Sequence, residues 1–230
     1  KNSDFIRRLC HEVNIVPDVK DVQIPIIPGI TIYSYLRFFN AYSSIPKIDV
    51  YVNGKKVVSN LNYKCFTKYD KIFPGYYRIQ IFEAGKTNNP ILTTSIHMIG
   101  YLIYTAAITG LCNRGFLELV NDRVFPIPQD NAAMRLIQLS PSAPLMDAFL
   151  DDTLILTEID FGEVSRYCLT PSKIHDLKLR DYIKHSLVVE AENIMLHELC
   201  AYTAYVIGNF DSPVGIELVV ELEGICYLNF

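Results

Sequence analysis

The chain repeats itself. Leu36 to Gly54, LRFFNAYSSIPKIDVYVNG, lies over Met134 to Asp152, MRLIQLSPSAPLMDAFLDD, with no gap at an offset of 98 residues. Arg37 falls on Arg135, Ser44 on Ser142, Pro46 on Pro144 and Asp49 on Asp147. The same offset carries Tyr69 onto Tyr167, Lys86 onto Lys184 and Ile96 onto Ile194. It also places Tyr104-Thr105-Ala106 on Tyr202-Thr203-Ala204 and Gly110 on Gly208. A fixed internal period is the mark of a duplicated unit, and 230 residues suit two domains of ordinary size. The repeats are expected over 35–122 and 133–230, joined by a stiff linker at 123–132 that carries Pro126 and Pro128. Residues 1–34 lie outside both as an N-terminal arm.

Within each repeat the pattern is that of strands. Ile48, Val50 and Val52 alternate with Asp49 and Tyr51, and Asn53-Gly54 follows. That dipeptide signals a two-residue hairpin turn, because both central positions need positive φ. Tyr77, Ile79 and Ile81 alternate with Arg78 and Gln80 after Pro74-Gly75. Short strands punctuated by Gly, Pro and Asn indicate a sandwich or barrel, and 15 Tyr with no Trp suits pleated, half-buried surfaces. The expected fold is all-β: two tandem immunoglobulin-like or transthyretin-like antiparallel β-sandwiches. The run from Thr87 to Asn113 has no Asp, Glu, Lys or Arg and is long enough to cross a bilayer. Its counterpart in the second repeat carries Glu190, Glu192 and Glu198, which are costly in hydrocarbon. Two strands joined by a turn near Gly100 are therefore expected.

The chemistry-bearing residues point away from several functions. A net charge of −4 with scattered Lys and Arg offers no footprint for nucleic acid. The six cysteines, Cys10, Cys65, Cys112, Cys168, Cys200 and Cys226, form no C-x-x-C pair and no zinc-spaced group. They read as buried thiols or as disulfides within or between subunits. His197-Glu198-Leu199-Cys200-Ala201 begins like a zinc-protease motif but has Ala201 where the second His belongs. Asp147, Asp151, Asp152 and Asp160 do not follow the alternation of a calcium loop. Cys200 with His197, or Cys65 with His97, lacks a third orienting group. No catalytic residue, metal or cofactor is assigned. Asp49 and Asp147 are expected on the polar strand face, accepting backbone hydrogen bonds from the Ser-x-Pro turn before them.

The run Arg37 to Tyr51, RFFNAYSSIPKIDVY, resembles the R-x-x-H-A-S-P-D-A-P-x-V-D-V-Y motif of the bacterial domain-of-unknown-function family 4397. The second copy keeps Ser140-Pro141-Ser142-Ala143-Pro144 and Asp147. Phe73-Pro74-Gly75-Tyr76-Tyr77 and Tyr104-Thr105-Ala106 are similar to its P-G-x-Y and Y-T segments. Both copies replace the family's His, with Asn40 and Gln138. The resemblance makes Arg37, Ser44, Pro46, Asp49, Arg135, Ser142, Pro144 and Asp147 a structural motif. It implies a secreted or surface-located protein without assigned chemistry, of a type found as short two-domain proteins in spore-forming Firmicutes.

Low charge together with a mean hydropathy of +0.18, in a chain read as having no membrane span, suggests apolar surface covered by other subunits. The expectation is a non-enzymatic structural protein of a spore or cell surface that self-associates. The second class is an adhesin-like module for a glycan or protein, which requires an exposed aromatic cluster. Ile24, Ile26, Ile27, Ile30, Ile32 and Tyr33 make the arm apolar and β-prone, and Pro25 and Pro28 confine it to an edge. Cys10 is the candidate cross-link to a partner.

Overall fold

The computed structural model describes residues 32–112, 114–122 and 125–228. Most of the arm, Cys10 included, and Arg123 and Val124 of the expected linker lie outside them. The described residues make one compact unit.

The first half builds two four-stranded sheets. One runs β3 (Lys55–Asn62), β2 (Lys47–Val52), β5 (Gly75–Glu83), β6 (Leu92–Met98), and the other runs β4 (Asp70–Ile72), β1 (Ser34–Asn40), β7 (Ile103–Leu111), β8 (Arg114–Asp122). The second half repeats this order. Its sheets are β11 (Thr153–Ile159), β10 (Met146–Leu150), β13 (Ile174–Asp181), β14 (Leu187–Met195), and β12 (Cys168–Pro171), β9 (Asn131–Gln138), β15 (Ala201–Asn209), β16 (Gly215–Leu222). A short 3-10 turn, Gly224–Cys226, follows. The fold is all-β and sandwich-type, with one departure from a purely antiparallel pattern. β1 runs parallel to β7 with Tyr35 opposite Ile103, and β9 parallel to β15 with Ala133 opposite Ala201.

Alternation along the strands sets the layers. Leu36 and Phe38 of β1, with Tyr104, Ala106 and Ile108 of β7, face Ile48, Val50, Ile79 and Ile81 across the first sandwich. The intervening Phe39 and Ala107 point the other way, into a cluster with Ile137, Leu139, Tyr205 and Ile207 of the second half. β1, β7, β9 and β15 are thus covered on both faces. This explains why the β7 region reads as an unbroken apolar run, the pattern of strands with no wet side. The turn expected near Gly100 joins β6 to β7. No helix among the described residues is long and apolar enough to cross a membrane.

Two glycine positions are required by packing or backbone. Asn53 and Gly54 have φ of 49° and 80° and turn β2 into β3, as the dipeptide predicts. A Cβ on Gly110 would stand 2.4 Å from both the Arg114 carbonyl oxygen and Cζ of Tyr42. The Tyr42 hydroxyl donates to the Cys112 carbonyl at 2.7 Å, so ring and glycine fit one another at the end of the β7–β8 hairpin.

Candidate functional site

The motif residues separate into three places. Arg37 and Arg135 lie between the two inner sheets, only 2% and 3% exposed. Each occupies an outward position of the first strand of its repeat. The two are bound alike: Nε of Arg37 donates to Thr105 Oγ1 at 2.9 Å, and Nε of Arg135 to Thr203 Oγ1 at 2.9 Å. Each guanidinium stacks on the repeated tyrosine, Tyr69 at 4.5 Å and Tyr167 at 4.8 Å from the ring centre. Each also reaches across the joint. Arg37 Nη1 donates to the Leu222 carbonyl at 3.4 Å and Arg135 Nη1 to the Asn121 carbonyl at 2.9 Å.

The carboxylates that answer them were not visible as a repeated pair. Asp122 ends β8 and Glu223 directly follows β16, at equivalent places opposite Ile103 and bonded to Ala201, but the β15–β16 hairpin is longer than the β7–β8 hairpin and breaks the 98-residue offset. Arg135 Nη2 lies 2.7 Å from Asp122 Oδ1 and 3.0 Å from Glu223 Oε1. Tyr69 donates to Asp122 at 2.7 Å, and Tyr167 to Glu223 at 2.7 Å. Burial and then the Glu223 charge push the Asp122 carboxyl up to about 6, against the pull of Arg135, Tyr69 and Arg37. Burial and the same carboxylates raise the hydroxyls of Tyr69 and Tyr167, which stay protonated donors. This is a structural lock: its residues are buried between the sheets and its charges face one another.

Asp49 and Asp147 alternate away from the core as expected, but both are covered, and the donors differ from those foreseen. Asp49 accepts from Lys56 Nζ at 2.7 Å, from the Asn60 backbone N–H at 2.8 Å and from Gly85 N–H at 3.2 Å. Asp147 accepts from Thr157 Oγ1 at 2.7 Å and from Glu158 N–H at 3.2 Å. Asn60 and Glu158, both at φ 55°, stand at the same place in the two repeats, where the pairing register slips by a bulge. The aspartate caps the bulge of the next strand rather than the Ser-x-Pro turn, because a bulge frees a backbone N–H that the ladder cannot use. Burial works against the charged form of Asp49, but Lys56 and the two N–H groups outweigh it and hold the carboxyl below its usual range.

Ser44 and Pro46 are exposed in the turn before β2. Ser142 Oγ donates to Asn209 and accepts from the Phe210 N–H, tying its turn to the β15–β16 hairpin; Pro144 is half-buried beside it. Asn40 and Gln138, in place of the family's His, are fully buried: Asn40 accepts from the Tyr42 N–H and donates to the Leu61 carbonyl of β3, and Gln138 donates to the Ser140 carbonyl. His197 and Glu198 lie in the loop between β14 and β15. Among the described residues no group of three His, Cys, Asp or Glu side chains could hold a metal. Cys65 and Cys112 are exposed rather than buried, and the five described cysteines are free.

The accessible chemistry lies at the ends of the outer sheets. Tyr76 of β5 pairs with His97 of β6, and their rings stack at 4.2 Å and 11°. Phe73, Tyr76 and Ile99 are 64%, 59% and 55% exposed, with Tyr101 beside them at 47%. The Ser34 hydroxyl on the Ile99 carbonyl and the Tyr77 hydroxyl on the Phe73 carbonyl hold both loops. At the equivalent edge of the second repeat stand Ile174 paired with Met195, and Leu199, all about half exposed. Aromatic in one copy and aliphatic in the other, these patches were foreseen only as a class; no sequence signal separates them from buried strand residues. A shallow depression of about 350 Å³ lies elsewhere, by Ile45, Glu83 and Lys86, whose charges pair at 2.6 Å.

A model of the family described as Domain of unknown function (DUF4397) matches residues 34–148, half of the chain. The chain belongs to that family. The matched DUF4397 stretch starts with β1, takes in the whole first sandwich and ends in β10, so both Arg37 and Arg135 fall within it. No curated protein matches the chain. Among solved structures it is similar to a "Putative cell adhesion protein" from Parabacteroides distasonis ATCC 8503, at 7% identity and a TM-score of 0.22, covering 84% of this chain and 99% of that one. It is also similar to CBMbc, of family CBM26, from Eubacterium rectale Amy13K in complex with maltoheptaose, at 8% identity and a TM-score of 0.24, covering 82% and 96%. Neither likeness is close enough to carry a ligand or an activity to this DUF4397 chain.

Proposed function

We propose that the chain is a non-enzymatic protein of a spore or cell surface that works by association, with further copies of itself as the partner. The observation that carries this reading is the pair of exposed apolar patches at equivalent edges of the two repeats. Phe73, Tyr76 and Ile99 stand on one, Ile174, Met195 and Leu199 on the other. Large apolar side chains grouped in this way mark interaction surfaces. Because one patch is aromatic and the other flexible and aliphatic, each fits the other better than itself. A contact between unlike patches is head-to-tail and propagates. Thioether and methyl groups pack well on ring faces and edges.

The test is light scattering across a concentration series. Wild type should grow in mass with concentration. Tyr76→Ser with Phe73→Ser, or Ile174→Ser with Met195→Ser, should abolish the growth, and mixing the two variants should restore a dimer through the one intact end of each. A wild type that stays monomeric at millimolar concentration overturns the proposal. The Tyr76–His97 stack, present in the first repeat alone, favours a second reading as a glycan platform, since flat rings suit sugar faces. Glycan-array binding lost on Tyr76→Ala in a monomeric protein would select it.

A further inference from the structure

We infer that Cys200 and Cys226 form a disulfide on oxidation, a covalent staple between the last segment of the chain and the inner sheet. Cys200 immediately precedes β15, and Cys226 ends the 3-10 turn after β16. The backbone brings them together before any bond forms. Glu223 N–H donates to the Ala201 carbonyl at 2.9 Å, and Ala201 N–H donates to Cys226 Sγ at 3.1 Å. Cys226 Sγ therefore sits against the backbone of the residue next to Cys200, near enough for the Cys200 side chain to raise its thiol. Both side chains are half-buried, accessible to a small oxidant and shielded from a large one. Cys65 and Cys112, by contrast, are exposed.

The chemistry follows from the environments. Burial first, then Cys200 and Glu223, push the Cys226 thiol up to about 12 against the pull of the Ala201 N–H, so it is a poor first nucleophile. With a small-molecule disulfide such as oxidised glutathione, Cys200 sulfur attacks, the S–S bond of the reagent breaks and one glutathione thiolate leaves. The Cys226 proton passes to that thiolate as its sulfur attacks Cys200 Sγ, expelling the second glutathione as a thiolate that takes up the proton Cys200 released through water. The protein loses two hydrogens and two electrons, and the reagent gains them as two thiols.

The consequence reaches the lock between the repeats. Glu223, three residues before Cys226, accepts hydrogen bonds from Tyr167 and Thr203 and pairs with Arg135. Closing the staple prevents the 223–228 segment from fraying away and exposing that carboxylate.

Full-length protein incubated with oxidised glutathione, then alkylated and digested without reduction, should yield the Cys200–Cys226 cross-linked peptide while Cys65 and Cys112 carry glutathione. Cys226→Ser should trap glutathione on Cys200, and Cys200→Ser should leave Cys226 unmodified. The oxidised wild type should unfold at higher urea than the reduced form, a shift absent in either variant. Glutathione on both Cys200 and Cys226, or either one linked to a different cysteine, overturns the inference.

Discussion

The two arginines at the centre of the molecule occupy one position of a duplicated design and have come to different electrostatic ends. Arg135 faces two carboxylates that are both fully buried, Asp122 and Glu223. Arg37 pairs at 3.2 Å with Glu221, whose side chain is 37% exposed, and is held on its faces by Phe66 and Tyr69, each 4.5 Å from the ring centre. Its Nη2 is buried with no hydrogen-bond partner among the described residues. The same residue type, backbone position and Nε bond to threonine therefore give an ionic lock on one side and a stacked cation on the other. The scaffold of the contact is the same in both halves, while the charge that answers it comes from a different strand end in each.

That difference is measurable. Replacing Arg135 by Met should cost about 3–5 kcal/mol, because Asp122 and Glu223 are left buried without their counter-charge. Replacing Arg37 by Met should cost about 1–2 kcal/mol, since Glu221 can turn to water and most of the stacking area is kept by the thioether chain. Urea unfolding of both variants decides it. Equal losses, or a larger one at Arg37, would mean that the two sites are equivalent and that the carboxylate geometry is incidental.

The second effect sharpens the comparison through pH. Asp122 is raised from the ordinary aspartate value to about 6 by burial and by Glu223. A carboxyl whose folded pKa lies above its unfolded pKa binds more protons when folded, so its contribution is fully present below about 4 and is lost as pH rises through about 6. The loss is on the order of 3 kcal/mol. Asp151 works in the opposite sense, because Lys173 first, with the Asp176 N–H and His175, lowers its carboxyl to about 2. Its contribution is present above about 4 and disappears as pH falls through about 2. The difference in unfolding free energy between wild type and Asp122→Asn, followed from pH 4 to 7, isolates the first group. A difference that stays flat over that window would show that Arg135 keeps Asp122 ionised throughout.

Much of this architecture was legible because both repeats carry it. Arg37 with Arg135, Thr105 with Thr203 and Tyr69 with Tyr167 stand among the few identities kept at the 98-residue offset, and all six meet at the joint. The alternation of Ile48, Val50, Ile79 and Ile81 marked the core, and Asn53-Gly54 marked its hairpin. Asp122 and Glu223 stayed hidden because the longer β15–β16 hairpin moved one of them out of register. The role of Asp49 was misassigned for a different reason: a bulge at Asn60 is a property of two paired strands, and neither strand shows it alone. The apolar run through β7 imitated a membrane span because a strand buried on both faces and a lipid-facing helix ask for the same residues.

The smallest expected effect tests whether drift between the copies has left strain behind. The β2–β3 turn uses Asn53-Gly54, and the equivalent β10–β11 turn uses Asp151-Asp152, with φ of 48° and 64°. Both turns keep the same side-chain cap: Asn53 Oδ1 accepts from the Arg78 N–H at 2.8 Å and Asp151 Oδ1 from the Asp176 N–H at 3.0 Å. The second turn position differs, because Gly54 takes positive φ without steric cost and Asp152 does not. Asp152 also pairs with Lys178 at 2.8 Å, but its side chain is 77% exposed, and such pairs contribute little. Asp152→Gly should therefore stabilise the protein by about 0.5 kcal/mol, and Gly54→Asp should destabilise it by a similar amount. In a two-sandwich chain of this size that is a shift in Tm of about 1–2 °C in either direction. If Asp152→Gly lowers Tm instead, the exposed ion pair outweighs the backbone strain, and the second turn is an alternative solution rather than a worn copy of the first.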